Sequence, residues 1–344
     1  MPPSRKSRSV TLSDVAKDAG VSPMTVSRVI NGETNVRKQT RERVRASIER
    51  LNYSPNISAR NLAGARSLRI CLLYGNPSSA YLGELLMGVL ESAREIGAHV
   101  VVERTQADAL NLDDLAAQMN RDWDAMIVPA PISDNPGIWR LVEEHRFPAV
   151  FLSSAIKPGL ATEINIDEYA AAHDLTATLI SRGHRRIAFI KGHPDHTAAA
   201  GRFDGYKAAL REAGLSLDET LVKQGYFTYR SGLDAADELL GLDEPPTAIF
   251  AANDDMAAGV LASAARHGLS VPRDLSVAGF DDSPIASTVW PNLTTVRQPV
   301  ADMAALAVKL AARAVRGRPE DREAETVRFD YEVIGRDSVA RPPE

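Results

Sequence analysis

The chain has 344 residues, of which 44% are hydrophobic and 25% charged, the profile of a globular protein with room for two domains. Its single cysteine, Cys71, excludes a disulfide framework, and no apolar run has the length of a membrane span. The start, MPPSRKSRSV, is basic but lacks the apolar stretch of a signal peptide, so we expect a cytoplasmic protein.

Charge is divided unevenly along the chain. Residues 1–66 carry 13 Lys and Arg against 5 Asp and Glu, a net charge of +8, while the other 278 residues carry 27 against 40, a net charge of −13. A basic segment before an acidic body indicates that nucleic acid binds at one end. A disordered basic tail is the alternative, and only the periodicity of the segment distinguishes the two.

Three short helices are predicted over residues 11–51. Thr11 is placed to cap the first helix, with Asp14 as its capping-box partner. Gly20 ends this helix, and its apolar face is formed by Leu12, Val15, Ala16 and Ala19. The third helix runs from about Arg37 to Leu51, with Val44 and Ile48 at helical spacing.

The second helix lies between these two and is only two turns long. Ser22 caps it, Pro23 takes its first position, and Asn31-Gly32 ends it. One face is apolar, and the other carries Met24, Thr25, Ser27 and Arg28. An arginine can bind a guanine edge with two hydrogen bonds, and hydroxyl groups can serve bases or phosphates. The layout predicts a helix-turn-helix unit that reads DNA. A solvated face on a small helical bundle is the alternative.

The stretch NYSPNISARNLAGARS, residues 52–67, follows the third helix. Pro55 stops that helix, and Asn56 is placed to cap another short one over residues 57–63. Leu62 lacks an obvious core to join. We expect a hinge that folds on DNA, with Leu62 inserted between base steps in the minor groove. A linker with a stray leucine is the alternative.

Strands and helices alternate from Arg69 onward. RICLLYG, AHVVVER, DAMIVPA and PAVFLSS form a first series of predicted strands, and RIAFIKG, LVKQGYF, AIFAAND and LSVAGFD a second. Helices are predicted near residues 82–96, 112–120, 136–145, 168–182, 200–213, 230–240 and 255–267. Two such series predict an α/β body of two doubly wound parallel-sheet lobes.

Several polar and aromatic residues fall where these strands end. Predicted strands end at Phe227, Asn253 and Asp281, Tyr81 follows the loop after RICLLYG, and Arg202 stands where KGHPDHTAAAGR enters a helix. Ligands bind beyond the carboxyl ends of such strands. Arginine and carboxylate groups pair with vicinal hydroxyls, and an aromatic face covers the apolar side of a sugar ring. A small polar ligand in a cleft is therefore predicted.

The N-terminal segment resembles the DNA-binding head of the LacI/GalR family of bacterial transcription regulators, through TLSDVAKDAGVSPMTVSRVIN, TRERVRASIERLNYSPN and ARNLAG. The resemblance implies that Pro23 and Met24 occupy base-reading positions, that Arg28 enters the groove, and that Leu62 opens the central operator step. It implies phosphate contacts by Thr11, Ser22, Thr25, Ser27, Asn31, Tyr53 and Asn56. Arg37 departs from the family, in which many members place a small capping residue there.

The body resembles the effector domain of the same family, through LISRGHRRIAFIKG, RFDGYKAAL, AIFAANDDMAAGVLASA, LSVAGFDDSP and PNLTTVRQP. In that family the body is similar to periplasmic sugar-binding proteins, with three chain crossings between lobes. The resemblance implies effector contacts by Tyr81, Ser153, Arg202, Phe227, Asn253 and Asp281. Ser153 stands where some members have an acidic contact.

The domain boundaries follow from these predictions. Residues 1–54 form the helix-turn-helix domain, residues 55–67 the hinge helix and linker, and residues 68–344 the effector-binding domain. We expect one lobe over about 68–166 with 298–325, and the other over about 167–297 with 326–344.

The predicted function is that of a sequence-specific DNA-binding regulator, a repressor of carbohydrate-utilisation genes switched by a sugar-like effector. It binds pseudo-palindromic DNA as a homodimer, with the helix at 82–96 as a candidate contact, and needs neither cofactor nor metal. A transport-type sugar-binding protein is the alternative. An enzyme is not favoured, because Gly-rich phosphate loops, HExxH and a nucleophile elbow are missing. His193 and His196 are spaced like metal ligands, but a flexible loop explains them as well.

Overall fold

The structure is a computed structural model, and it describes residues 11–30, 36–51, 67–105, 110–153, 159–318 and 323–343. The chain forms two compact units, Met1–Ser67 and Leu68–Glu344, and each is described by itself. Among the described residues, none of the helices combines the length and the apolar character needed to cross a membrane.

The first unit contains the three predicted helices, at Leu12–Ala19, Pro23–Ile30 and Lys38–Arg50. The Thr11 hydroxyl accepts a hydrogen bond from the Asp14 backbone N–H at 3.3 Å, and the Asp14 carboxylate accepts one from the Thr11 N–H at 2.8 Å, which completes the predicted capping box. Gly20 ends the helix with φ of +64°, a conformation that glycine adopts at little cost. Val15, Val26 and Val44 are fully buried where the helices meet.

The caps of the other two helices differ as the sequence indicates. The Ser22 hydroxyl accepts from the Thr25 N–H at 3.2 Å. Arg37 caps the third helix without any side-chain hydrogen bond, because a guanidinium has no acceptor to offer the first turn.

In the second unit, six parallel strands form the sheet of the first lobe in the order Thr326–Arg328, Thr162–Asn165, Ala149–Leu152, Ala125–Pro129, Arg69–Tyr74 and His99–Arg104. Three of these strands, Arg69–Tyr74, Ala125–Pro129 and Ala149–Leu152, are almost wholly buried, which is why they read as continuous apolar runs. Helices cover both faces, at Ser79–Ile96, Leu112–Gln118, Pro136–His145 and Val300–Arg316.

The second lobe has a four-stranded parallel sheet in the order Val222–Gln224, Ile187–Lys191, Ala248–Ala251 and Ser276–Ala278. Its helices lie at Glu168–Ser181, Thr197–Glu212, Tyr229–Leu240, Asp254–Arg266 and Pro284–Thr288. Phe189 and Phe250 pack edge to face at its centre, with ring centroids 5.0 Å apart. The predicted two-lobe fold is confirmed.

The chain passes between the lobes near residues 166–167, 298–299 and 329–331. Beside the last two crossings, Thr295–Arg297 pairs antiparallel with Glu332–Ile334. The predicted lobe boundary at 325/326 was wrong by a few residues. Thr326–Arg328 pairs with Thr162–Asn165 as the edge strand of the first sheet, so the first lobe extends through Arg328.

Two predicted placements near the cleft also need correction. The helix carrying Arg202 begins at Thr197, so Arg202 lies in its second turn and not at its start. The predicted strand LVKQGYF ends at Gln224, so Phe227 lies in the loop beyond it. Both residues nevertheless lie at the carboxyl edge of the second sheet.

Candidate functional site

The first unit presents the predicted DNA-reading face of its second helix to solvent. Met24 is 64% exposed, Pro23 and Arg28 are also exposed, and Val26 and Val29 point into the core. The Ser22 and Thr25 hydroxyls lie 2.9 Å apart at the start of this helix, and Thr11 is exposed at the start of the first. Asn31, Tyr53, Asn56 and Leu62 lie outside the described residues.

Basic side chains are numerous among the exposed residues that the structure describes in this unit. Lys17, Arg43 and Arg45 are all exposed on the first and third helices. Asp18 pairs with Arg50 at 2.5 Å, which neutralises one of the few carboxylates present. Among the described residues of this unit, exposed basic side chains therefore outnumber exposed acidic ones, which favours binding to a DNA backbone.

In the second unit, all of the predicted effector residues line one cavity between the two lobes. Tyr81 and Ser153 come from the first lobe, and the second lobe contributes Arg202, Phe227, Asn253 and Asp281. The cavity has a volume of only about 30 Å³, because the lobes close onto each other. Small-molecule sites are usually about 300–1,000 Å³, so a sugar enters only if the lobes part or Phe227 moves.

Arg202 is the electrostatic centre of this cleft. Its side chain is 6% exposed, and its guanidinium lies 3.7 Å from the centroid of the Phe280 ring. Its Nε and Nη2 atoms donate to the Glu168 carboxylate at 2.8 and 3.4 Å, and its Nη1 donates to the Ala252 carbonyl at 2.6 Å. The Asp281 carboxylate lies 3.5 Å from Nη1.

Asp281 combines burial with an unusual backbone. Its Oδ1 accepts from Gln298 Nε2 at 2.6 Å. Burial raises the pKa of Asp281 to about 7, against the lowering effect of Arg202 and the Gln298 hydrogen bond. Its φ of +111° is strained for a residue with a side chain, and Ser153 (+52°) and Phe227 (+58°) are also in the positive region. Such strain is concentrated at functional sites.

Phe227 and Asn253 are held by contacts within the second lobe. Asn253 accepts from the Met256 N–H at 3.0 Å, which caps the helix Asp254–Arg266, and donates to the Phe227 carbonyl at 3.1 Å. The Phe227 ring packs against Gly192, where a Cβ would come within 2.0 Å of it. Gly192 therefore makes the space that the aromatic ring occupies.

The cleft lining also includes residues outside the predicted effector set, among them Glu168, His196 and Gln298. Glu168 opens a helix, where an acidic residue is ordinarily explained by the helix dipole. His196 is 3% exposed, and burial lowers its pKa to about 3, so its imidazole is neutral. A buried arginine needs a carboxylate partner. The predicted position of Arg202 in the cleft could therefore have indicated an acidic residue such as Glu168 beside it.

Some polar atoms in this cleft are left without partners. His196 Nε2 and Gln298 Oε1 are buried without a hydrogen-bond partner among the described residues, whereas Ser153 hydrogen-bonds with the Tyr81 side chain. Buried polar atoms are ordinarily paired. Two such atoms at one cavity, beside a phenyl ring, are what a polyhydroxylated ligand would satisfy.

Two direct polar contacts join the lobes at the rim of the cleft. Ser78 donates its hydroxyl to the Asp255 carboxylate at 2.7 Å. The Asp134 carboxylate accepts from the Thr197 N–H at 3.0 Å and from its hydroxyl at 2.8 Å, so the first lobe caps a helix of the second. Opening of the cleft would break both contacts.

A larger groove of about 1060 Å³ lies at the opposite edge of the first sheet. Phe147, Ala149 and Thr162 mark the amino ends of two strands in its lining. Ligands of open α/β sheets bind at the carboxyl ends of the strands, where the smaller cavity lies, so the interlobe cleft is the candidate site.

His193 and His196 have ring centroids 5.1 Å apart, but the described residues contain no group of three or more His, Cys, Asp or Glu able to hold a metal.

Comparisons with known proteins agree with both units. Residues 11–56 match the family model of bacterial regulatory proteins of the lacI family, and residues 176–339 match that of the periplasmic binding protein-like domain. Catabolite control protein A of Priestia megaterium is 36% identical over 313 residues, covering 88% of this chain and 92% of that protein.

Two solved structures share the whole architecture. The transcriptional regulator CelR in complex with cellobiose is 31% identical, with a TM-score of 0.72, and covers 96% of this chain and 99% of its own. The lac repressor dimer bound to operator and the anti-inducer ONPF is 26% identical, with a TM-score of 0.71. The match covers 97% of this chain and 100% of that chain.

Proposed function

Because this chain belongs to the LacI family of bacterial regulatory proteins, we propose that it represses transcription by binding operator DNA and that a sugar-like ligand in the interlobe cleft switches that binding. The observation that carries the proposal is the convergence of Tyr81, Ser153, Arg202, Phe227, Asn253 and Asp281 on one cavity. The exposed face with Met24 and Arg28 supports the DNA half of the function.

The base-reading contacts fall to the start of the second helix. Pro23 and Met24 reach base edges, and Arg28 donates to a guanine in the major groove. Phosphate contacts are made by Thr11, Ser22, Thr25, Ser27, Asn31, Tyr53 and Asn56, and Leu62 enters the minor groove.

The ligand is a sugar or a close derivative. An aromatic ring, a buried carboxyl and two unpaired polar atoms suit a ring with an apolar face and a rim of hydroxyl groups. Cellobiose is bound by the related CelR, which supports this ligand class. Since both lobes contribute contacts, the ligand binds one lobe arrangement better than another, and that difference in affinity is the free energy of the switch.

The protein acts in the cytoplasm as a homodimer, which presents two helix-turn-helix units to a pseudo-palindromic operator. The helix Ser79–Ile96 supports this, because Met87 and Leu90 are 65% and 53% exposed on it, and Val102 on the next strand is 45% exposed. This is an apolar surface of the kind that a second subunit covers. A monomer at micromolar concentration in light scattering would contradict the dimer.

A mobility-shift assay tests the function. The operator is selected from a random duplex pool, and the selected sequence should be pseudo-palindromic. Binding to it should change on addition of one member of a mono- and disaccharide panel. A transport-type binding protein, the alternative function, would bind the sugar and leave every duplex unretarded.

A further inference from the structure

The interlobe cleft contains one cation, and that cation is already paired. Of the described residues that line the cleft, Arg202 alone carries a permanent positive charge. Glu168 accepts from both Nε and Nη2, the two donors that form one edge of the guanidinium. This edge is the one with which an arginine ordinarily grips a carboxylate or phosphate with paired hydrogen bonds.

The remaining donors of Arg202 are also largely committed. Nη1 donates to the Ala252 carbonyl at 2.6 Å and faces the Asp281 carboxylate at 3.5 Å. Glu168 is only 13% exposed, so water screens its charge poorly, and Asp281, 10% exposed, is partly ionised near pH 7. At the rim, Asp255 adds a further carboxyl beside Ser78.

An anionic ligand would therefore meet an unfavourable environment. It would have to share Arg202 with Glu168, and it would lie among buried carboxyl groups. His196 offers no compensating charge, because its buried imidazole stays neutral. Uncharged hydroxyl groups can satisfy His196 Nε2 and Gln298 Oε1 without introducing a charge.

We propose that Glu168 is a specificity-determining residue, which occupies the guanidinium edge of Arg202 and so restricts the cleft to uncharged or amino-bearing polyols, with sugar acids and sugar phosphates excluded. The proposal rests on the proposed function, since it assumes that the cleft is the ligand site. It assigns a role to a residue outside the predicted effector set.

Isothermal titration calorimetry of the full-length protein tests this with matched probes: ribose against ribose 5-phosphate, glucose and glucosamine against glucuronate, and cellobiose against cellobionate. In the wild type, each anionic member should bind at least tenfold more weakly than its neutral partner, about 1.4 kcal/mol. In Glu168→Gln that ratio should fall by about tenfold or more, because a neutral amide no longer cancels the charge of Arg202, whose guanidinium can then donate to the anion.

Two controls separate charge from structure. Glu168→Asp keeps the carboxylate and should keep the wild-type ratio. Asp204→Asn removes a charge from an exposed position on the Arg202 helix, where Asp204 pairs with Lys207, and should leave the ratio unchanged. If Glu168 only held Arg202 in place, Glu168→Gln would weaken all probes by one common factor, and the proposal would be wrong.

The test remains decisive if none of the sugars binds. Inorganic phosphate should then raise the thermal unfolding midpoint of Glu168→Gln but not that of the wild type or Asp204→Asn, and equal shifts in all three proteins would overturn the proposal. Wild-type protein that binds an anionic probe as tightly as its neutral partner would also overturn it. The proposed function has a separate test: it would be wrong if none of the ligands changed the retardation of operator DNA in the mobility-shift assay.

Discussion

The buried carboxyl of Asp281 gives the sharpest prediction, because the cleft makes its ionisation costly. Its pKa is raised from an ordinary 3.8 to about 7, chiefly by burial. The folded state therefore holds the proton more tightly than the unfolded chain does. This contribution to stability is complete below pH 3.8 and is lost as the pH rises through about 7.

Replacing Asp281 with Asn should remove this loss. The difference between 3.8 and about 7, at about 1.4 kcal/mol per pH unit, sets an upper value of about 4 kcal/mol at pH 8. Local relaxation and the lost attraction to Arg202 reduce this value, so we expect Asp281→Asn to be about 1–3 kcal/mol more stable than the wild type at pH 8. At pH 4 the difference should be close to zero.

Urea unfolding followed by tryptophan fluorescence measures this directly, because Trp123, Trp139 and Trp290 all lie in the second unit. Asp282→Asn is the matched control. Asp282 pairs with Arg297 at 2.7 Å and with Arg336 at 2.5 Å, so its loss should destabilise the protein. An Asp281→Asn variant that is no more stable than the wild type at pH 8 would refute the reasoning about the cleft.

Four further variants test other parts of the molecule. Arg28→Ala should cost about 1–3 kcal/mol on the selected operator and little on random duplex in mobility shifts; equal losses would make it a phosphate contact. Leu62→Ala should reduce operator bending and affinity together, as permuted-site gel mobility reports. His196→Gln should gain stability over the wild type as the pH falls from 6.5 to 5, by about 1.4 kcal/mol per pH unit, because the folded pKa is lowered to about 3; parallel urea profiles would contradict this. Ser78→Ala should lower the free energy of unfolding in urea by about 1–2 kcal/mol, because it removes the hydrogen bond to Asp255 and a helix cap. An unchanged urea midpoint would show that the rim contact does not stabilise the protein.

Much of the fold follows from local sequence signals. The capping box of Thr11 and Asp14, the apolar runs of the central strands and the helical spacing in both units all predicted elements that the structure contains. The edge strand Thr326–Arg328 was assigned to the wrong lobe. It has three residues and an exposed, polar pattern, so only its pairing with Thr162–Asn165 decides where it belongs.

The candidate site was predictable only in part. Asn253 and Asp281 lie two and three residues beyond the ends of their strands, and the carboxyl ends of parallel strands meet at one edge. Gln298 lies in a crossing between the lobes, and Glu168 opens the helix that follows another crossing, so neither follows a strand of the second sheet. Their positions depend on how the lobes close, which chain order does not encode. The neutral state of His196 likewise results from packing.

The central claim is that a ligand in the cleft sets the affinity for operator DNA. Its most direct test is the reciprocity of the two binding events in wild type and Asp281→Ala. The ligand should change the operator dissociation constant by a factor of about 5–150, and saturating operator should change the ligand dissociation constant by the same factor. Asp281→Ala should bind operator nearly normally without ligand and lose the response. A mutant that still responds at the wild-type ligand concentration would contradict the assignment of the cleft.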